Sequence, residues 1–248
     1  MPCYNLITTK ESERGATEMD SYVITIARGF GSGGKHIGMA LSKQLGIPCY
    51  DSQILAMASN YSGISKDLFV QVDEKLRGYH LLKRLMRTPN TDEIVQPTEK
   101  SFISDVNLYN IQAKIIRELG KNQSCIIIGK CANHVLRDYD NVVSVYVEAP
   151  RKECVESITN LLGVTEDEAH KLIYQTDRYR ADYYKYYTGG EVWTNPVLYD
   201  MTLNTARIGR DRCAELIIEY LKIKFGDDIL EKKGTIENDK ALEALKLI

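Results

Sequence analysis

Long hydrophobic runs, an excess of one charge and metal-type cysteine spacing are all missing from this 248-residue chain. No apolar stretch approaches the ~20 residues needed to span a bilayer. The segment 1–21 is polar and has no apolar signal core, so a cytoplasmic protein is expected. The formal net charge is only −2, which gives no global attraction to nucleic acid or to an anionic membrane. Neither is expected as a partner, and any phosphate binding must come from individually placed Arg and Lys residues. Six cysteines stand at positions 3, 49, 125, 131, 154 and 213. None forms C-x-x-C and no histidine cluster accompanies them, which argues against zinc and for reduced, buried thiols. There is no internal repeat.

What is there fits an ordinary globular protein. The length allows one sizeable α/β domain with inserts, or two small domains. Apolar residues make up 44% and charged residues 27% of the chain, as expected of a packed core under a charged surface. Apolar runs at 22–27, 124–128 and 142–147 do not alternate with polar residues, which suits parallel strands covered on both faces. Further strands are expected near 46–51 and 199–203. Helical patterns fall at 34–45, 52–60, 65–86, 102–119, 151–162 and 207–223, with Gly120 as a stop. Thr165 and Glu168 form a capping-box start to a longer helix. The stretch 87–100 reads as an exposed loop. Strands and helices in alternation predict an α/β fold with a doubly wound parallel sheet. Residues 1–20 are expected to be flexible, and the tail from 226 is charged.

The chemistry starts at Gly29-Phe30-Gly31-Ser32-Gly33-Gly34-Lys35-His36. An apolar strand precedes it and an amphipathic helix follows. The spacing is G-x-x-x-x-G-K, a loop whose backbone N–H groups cradle phosphate at a helix N-terminus. Lys35 is placed to reach the β- and γ-phosphates of a donor. Ser32, Gly33 and Gly34 offer backbone N–H groups. The residue after the lysine is normally Ser or Thr, whose hydroxyl meets magnesium; here it is His36. An imidazole is a poor magnesium ligand, so His36 either faces solvent, packs on a neighbour or hydrogen-bonds a phosphate. Magnesium would then bind through water and the nucleotide phosphates, with no protein ligand assigned.

Three further clusters stand out. Residues 175–187 hold Arg178, Arg180, Lys185 and five tyrosines. They read either as a solvated helix with an Arg178–Asp182 pair or as an arginine-bearing lid over a phosphoryl group in transit. The tyrosines suit packing better than base stacking. Asp51 and Ser52 follow the second strand, where ligands bind in open α/β sheets. They either cap the next helix or meet a substrate. Lys130 follows the third strand and either contacts an acceptor phosphate or faces solvent.

Together these pieces resemble the cytidylate-kinase-like family of the P-loop nucleoside monophosphate kinases. The matching stretches are I-A-R-G-F-G-S-G-G at 26–34, L-G-I-P-C-Y-D at 45–51 and I-I-I-G-K-C-A at 126–132. V-Y-V-E-A-P at 145–150, D-R-Y-R-A at 177–181 with Tyr183 and Tyr184, and Y-D-M-T-L-N-T at 199–205 with Gly209 complete them. The resemblance implies a P-loop kinase fold with a five-stranded parallel sheet, an acceptor-binding helical insert at 61–100 and a lid at 175–195. It implies ATP and Mg2+ as cofactors, transfer to a nucleoside monophosphate with CMP first, and catalytic roles for Lys35, Arg178 and Arg180. Gly29, Gly31, Ser32, Gly33, Gly34, Lys35 and His36 would hold the donor. Asp51, Ser52 and Lys130 would hold the acceptor. Two departures stand against it. No hydroxyl follows Lys35, and an Arg-Asp pair whose Asp reads cytosine is replaced by Lys130-Cys131. A nucleotide-binding regulator without kinase activity and a kinase for a non-nucleotide small molecule are the competing readings. The helix at 102–119 either covers the sheet or forms a homodimer.

Overall fold

The computed structural model describes residues 20–75 and 104–232. Five strands form one all-parallel sheet in the order β2-β3-β1-β4-β5. They are β1 (Val23–Arg28), β2 (Cys49–Tyr50), β3 (Cys125–Ile128), β4 (Val142–Glu148) and β5 (Met201–Asn204). The expected strands are all present. This is the P-loop kinase form of the doubly wound sheet.

The unalternating apolar runs are explained by two cores. Along β1, Val23 faces one core and Ile24 and Ile26 the other. Along β3, Cys125 and Ile127 face the first, and Ile126 and Ile128 the second. Side chains alternate across a strand, so a strand covered on both faces needs apolar residues at every position. Each fully buried Ile or Val contributes about 1.5–3 kcal/mol.

The second core is closed by α1 (Gly34–Leu45) and α9 (Arg210–Phe225). The first is closed by α2 (Gln53–Ser62), α3 (Lys66–Lys75), α4 (Asp105–Asn122) and the single turn α5 (Ala132–Val135). A hairpin of α6 (Arg151–Leu162) and α7 (Glu166–Tyr187) carries a small core of its own around Cys154, Ile158 and Ile173. The Thr165–Glu168 capping box opens α7 as expected. A short α8 (Thr205–Ile208) precedes α9.

Two boundaries differ from expectation. Gly120 does not stop α4, which runs on to Asn122. It packs instead beneath Leu136, where a Cβ would come within 3.0 Å of the leucine methyl. The last helix is broken in two at Gly209, which has φ 90°. The expectations for 1–19, 76–103 and 233–248, including the loop at 87–100 and most of the insert, lie outside the described residues. Among the described residues no helix is long and apolar enough to cross a membrane.

The topology places the candidate site. Strands β1 and β3 are neighbours, yet α1 leaves β1 toward one face and α5 leaves β3 toward the other. Such a divergence opens a crevice at the carboxyl ends of the strands.

Candidate active site

The glycine loop occupies that crevice and is clamped from below. The Ser32 side chain is fully buried and its hydroxyl donates toward the carbonyls of Gly29, at 2.8 Å, and Val147, at 3.0 Å. The Thr205 hydroxyl donates to the Ser32 carbonyl at 2.7 Å. Gly31 and Gly33 turn through left-handed conformations with φ 90° and 94°. The Gly33 carbonyl takes the first helical hydrogen bond from Ile37 N, at 3.1 Å. Gly34, Lys35 and His36 are therefore first-turn residues whose N–H groups have no helical acceptor. Among the described residues, the N–H groups of Gly31 and Gly33 have no acceptor either. This row of free donors at a helix N-terminus is an anion cradle.

The cradle lines a cavity of 810 Å³, whose other wall is the exposed face of α6 with Ser157 and Leu161, and Arg210 of α9. Arg210 lies against Gly33 and donates to the Ser157 hydroxyl at 2.9 Å. Lys35 is exposed in this cavity and makes no ion pair among the described residues. His36 also lines it. Its Nε2 stands 3.0 Å from Asp211 Oδ1, so the imidazole is held by α9.

A second cavity of 330 Å³ opens beside the first. Its walls are aromatic: Tyr179, Tyr183, Tyr184 and Trp193. Lys130, Cys131 and Asn133 close it from the β3 side. The turn there is unusual, because Gly129, Lys130 and Cys131 are three successive left-handed residues with φ 73°, 57° and 54°. Non-glycine residues held this way cost about 1–2 kcal/mol each, and such strain concentrates at functional sites.

Among the described residues, three line both cavities: Arg28, Asp51 and Arg180. Arg28 ends β1, and its guanidinium lies over Gly129 and 3.5 Å from Asp51. Arg180 reaches in from α7. It donates to the Arg28 carbonyl at 2.9 Å and lies over the Phe30 ring at 5.5 Å. Asp177, one turn earlier, accepts from Phe30 N at 2.8 Å and lies 3.4 Å from Arg180. Burial, and then the neighbouring Arg180, pull the Arg28 pKa down to about 10. Burial likewise lowers Arg180, against the pull of Asp177 and Asp51. Burial raises the Asp177 carboxyl despite its hydrogen bond to Phe30. Two desolvated guanidiniums thus face each other where the cavities meet, a junction that favours an added anion.

The predicted residues divide accordingly. Gly29, Gly31, Gly33, Gly34, Lys35 and His36 line the first cavity, Lys130 the second, and Asp51 and Arg180 both. Ser32 is buried beneath the loop. Ser52 is exposed, lines neither cavity and makes no capping bond. Arg178 does not join Arg180. Its side chain is 66% exposed, against Tyr174 and Asp182 on the outer face. Two residues apart on a helix means about 200° apart around it, so both arginines cannot face one phosphate. Tyr183, Tyr184, Tyr186 and Tyr187 of α7 are buried, with Tyr109 stacked on Tyr187 at 3.9 Å. Packing is their main work, although Tyr179, Tyr183 and Tyr184 also form cavity wall. Sequence reasoning gave no role to Arg28, Asp177 or Arg210. Arg28 carried a signal, a cation closing a buried strand next to the glycine loop. Arg210 carried none.

The model of the cytidylate kinase-like family matches residues 23–207, a span that includes the loop, the junction and both cavity walls. The chain belongs to the cytidylate kinase-like family. Family membership and the phosphate loop make it a kinase-type, nucleotide-binding phosphotransferase. Among solved structures, an uncharacterised protein of Eubacterium ventriosum superposes with a TM-score of 0.59 at 21% identity, over 82% of this chain and 99% of that one. A shikimate kinase of Bacteroides thetaiotaomicron is a more distant match, with a TM-score of 0.43 at 14% identity over 81% and 98%. The first of these likenesses is one of fold. No curated protein matches the sequence.

Proposed function

We propose that this protein transfers the γ-phosphoryl group of ATP to a nucleoside monophosphate, with CMP as the leading acceptor. The observation that carries the reading is the junction. A phosphate cradle and an aromatic cavity meet at Arg28, Asp51 and Arg180, which is where a group passing from one ligand to the other would sit. The donor phosphates fit the free N–H groups of the loop, with Lys35 beside them. The acceptor's phosphate would enter the second cavity among Lys130, Arg28 and Arg180, and its planar base would lie on the tyrosine and tryptophan walls. An acceptor phosphate oxygen then bonds to the γ-phosphorus as the bond to the bridging oxygen of ADP breaks. Phosphoryl transfer asks the protein for position and charge stabilisation more than covalent chemistry. The paired arginines supply that charge at a desolvated point, where it acts most strongly.

The metal is served differently. The Ser32 hydroxyl is taken up under the loop, His36 is held by Asp211, and no cluster of metal-type ligands occurs among the described residues. Magnesium, which would supply charge neutralisation for the donor phosphates, would arrive with the nucleotide and gain no ligand set from these side chains. The same observation favours a second reading, a nucleotide binder that senses without transferring. Within the first reading, 61–100 is the acceptor-binding insert and 175–195 the lid that excludes water.

An ATP-consumption screen across nucleoside monophosphates and small metabolites tests it, with Lys35→Ala as control. CMP should turn over well above the rest, and Lys35→Ala should reduce kcat by about 10³-fold or more with unfolding temperature unchanged. Silence across the panel, together with thermal stabilisation by ATP, moves the assignment to the binder.

A further inference from the structure

The acceptor cavity contains a polar side chain whose orientation its neighbours dictate. Asn133 lies at the start of α5 and is 8% exposed. Its Nδ2 donates to the Tyr184 hydroxyl at 2.9 Å, and the Tyr199 hydroxyl lies close enough to the same amide for its N–H to favour the phenolate. An amide can turn over and exchange its N and O, so the surroundings must decide which way it points. Here they do. The Tyr184 hydroxyl has a carboxylate oxygen, Glu191 Oε2, at 3.4 Å, and His134 Nδ1 lies 3.1 Å from the same oxygen. A carboxylate accepts, so Tyr184 donates its one proton there. The Tyr199 hydroxyl gives its proton to the Trp193 carbonyl at 2.5 Å. Both hydroxyls therefore have only lone pairs left, and both need a donor. The Asn133 nitrogen must face them, and its carbonyl oxygen must face away.

That oxygen has no hydrogen-bond partner among the described residues, yet it is not sealed in the core. Asn133 lines the 330 Å³ cavity. Asn133, Tyr184 and Trp193 line this cavity alone, whereas Arg28 and Arg180 also line the donor cavity. The amide therefore lines only the cavity assigned to the acceptor, together with the aromatic walls on which the acceptor's base would lie. A nearly buried acceptor oxygen with a fixed direction discriminates strongly, because a ligand lacking the matching N–H leaves it unsatisfied and a ligand carbonyl repels it.

We propose that Asn133 is the specificity-determining residue of the acceptor site, and that its carbonyl oxygen accepts an N–H of the acceptor's base, as the 4-amino group of cytosine presents. Uracil carries a carbonyl at that position and is disfavoured. This inference rests on the nucleoside monophosphate reading. It gives the base a reader in a chain where Lys130-Cys131 stands in place of an Arg-Asp pair. The Tyr184–Glu191–His134 chain and Tyr199 are positioning residues that keep the amide from turning over.

Calorimetric binding of CMP, UMP and ribose 5-phosphate to the full chain tests it, in the wild type and in the near-isosteric variants Asn133→Leu and Asn133→Asp. The wild type should bind CMP about tenfold or more tighter than UMP. Asn133→Leu should weaken CMP by about 10- to 100-fold and leave ribose 5-phosphate within about twofold, so that the preference for cytosine disappears. Asn133→Asp keeps an acceptor oxygen in the cavity but loses the donor that the two hydroxyls need, so it should keep the preference at a lower unfolding temperature; it carries the test if Asn133→Leu does not fold, and loss of the preference in it also overturns the proposal. The proposal is overturned if Asn133→Leu retains the CMP-to-UMP ratio, or if it weakens all three ligands alike. Those results leave the kinase reading standing. If the wild type binds ATP but no monophosphate, the acceptor assignment fails and the base-reading role fails with it.

Discussion

In the proposed reading the phosphate cradle of the donor side comes from one contiguous loop, Gly29 to His36, and largely from its main-chain atoms. The proposed acceptor side draws its residues from β1, β3, α3, α5, α7 and the segments after β2, β3 and α7. The difference teaches what each half can change. Backbone N–H groups are alike in every residue, so the donor side can keep its chemistry while side chains vary, provided the loop holds its shape. The acceptor side has no such constant. Each of its groups is a separate choice of side chain, which suits the half of a transferase that selects a substrate.

The largest test of this contrast falls where the halves meet. Arg180→Ala should lower kcat by about 10²- to 10³-fold, because the junction loses a desolvated cation. Arg178→Ala, on the outer face of the same helix, should stay within about twofold. Steady-state kinetics on both variants decides it, and equal losses would show that α7 presents a different face during turnover. A smaller effect probes the shape of the donor loop. Ser32→Ala removes a fully buried hydroxyl from two carbonyls and should cost about 1–2 kcal/mol of stability. Denaturant midpoints measure this. ATP affinity should fall with it and CMP affinity should not. Loss of both ligands would mean that the two sides are not separately built.

The smallest effect belongs to the acceptor side and appears as pH falls. Burial holds the His134 imidazole below its usual pKa of about 6.5, against the opposing pull of Glu191. The unfolded chain therefore binds a proton that the folded chain resists. Stability from this group is complete above about pH 6.5 and declines as pH drops through that value toward the folded pKa. Unfolding temperatures from pH 8 to pH 5 should show this decline, and His134→Gln should flatten it. The same decline in the variant would assign it to other groups.

The contrast also explains what the sequence could reveal. The glycine loop is contiguous, and its chemistry depends on spacing, so Gly29 through Lys35 were legible as a phosphate site. The sheet was legible for a related reason. Two-sided burial leaves unalternating apolar runs such as 142–147, and these can be read without knowing what covers them. The acceptor cavity was only partly legible. Lys130 and Asp51, which line it, stand out in the sequence because strand ends are privileged positions. Arg178 and Arg180 were grouped because composition carries no helix phase, and only the packing of Tyr183, Tyr184, Tyr186 and Tyr187 sets which arginine turns inward. Gly120 read as a stop because a glycine that ends a helix and one that admits a neighbour look the same in one dimension. Asn133 and Arg210 gave no signal, since what singles them out is the groups that fold against them.

The Arg28 side chain has a consequence for how such a chain can diverge. A Cβ on Gly34 would come within 2.6 Å of Arg28 Cβ, and a Cβ on Gly129 would run into the guanidinium. One glycine lies in the donor loop and the other in the strained turn of the acceptor side. The two constraints differ in kind. The contact at Gly34 is with a Cβ that any residue but glycine would place at position 28, so Gly34 is held whatever side chain stands there. The contact at Gly129 is with the guanidinium itself, in a turn whose φ of 73° already favours glycine. Replacing the arginine would therefore open space on one side of the junction and leave the other side as tight as before.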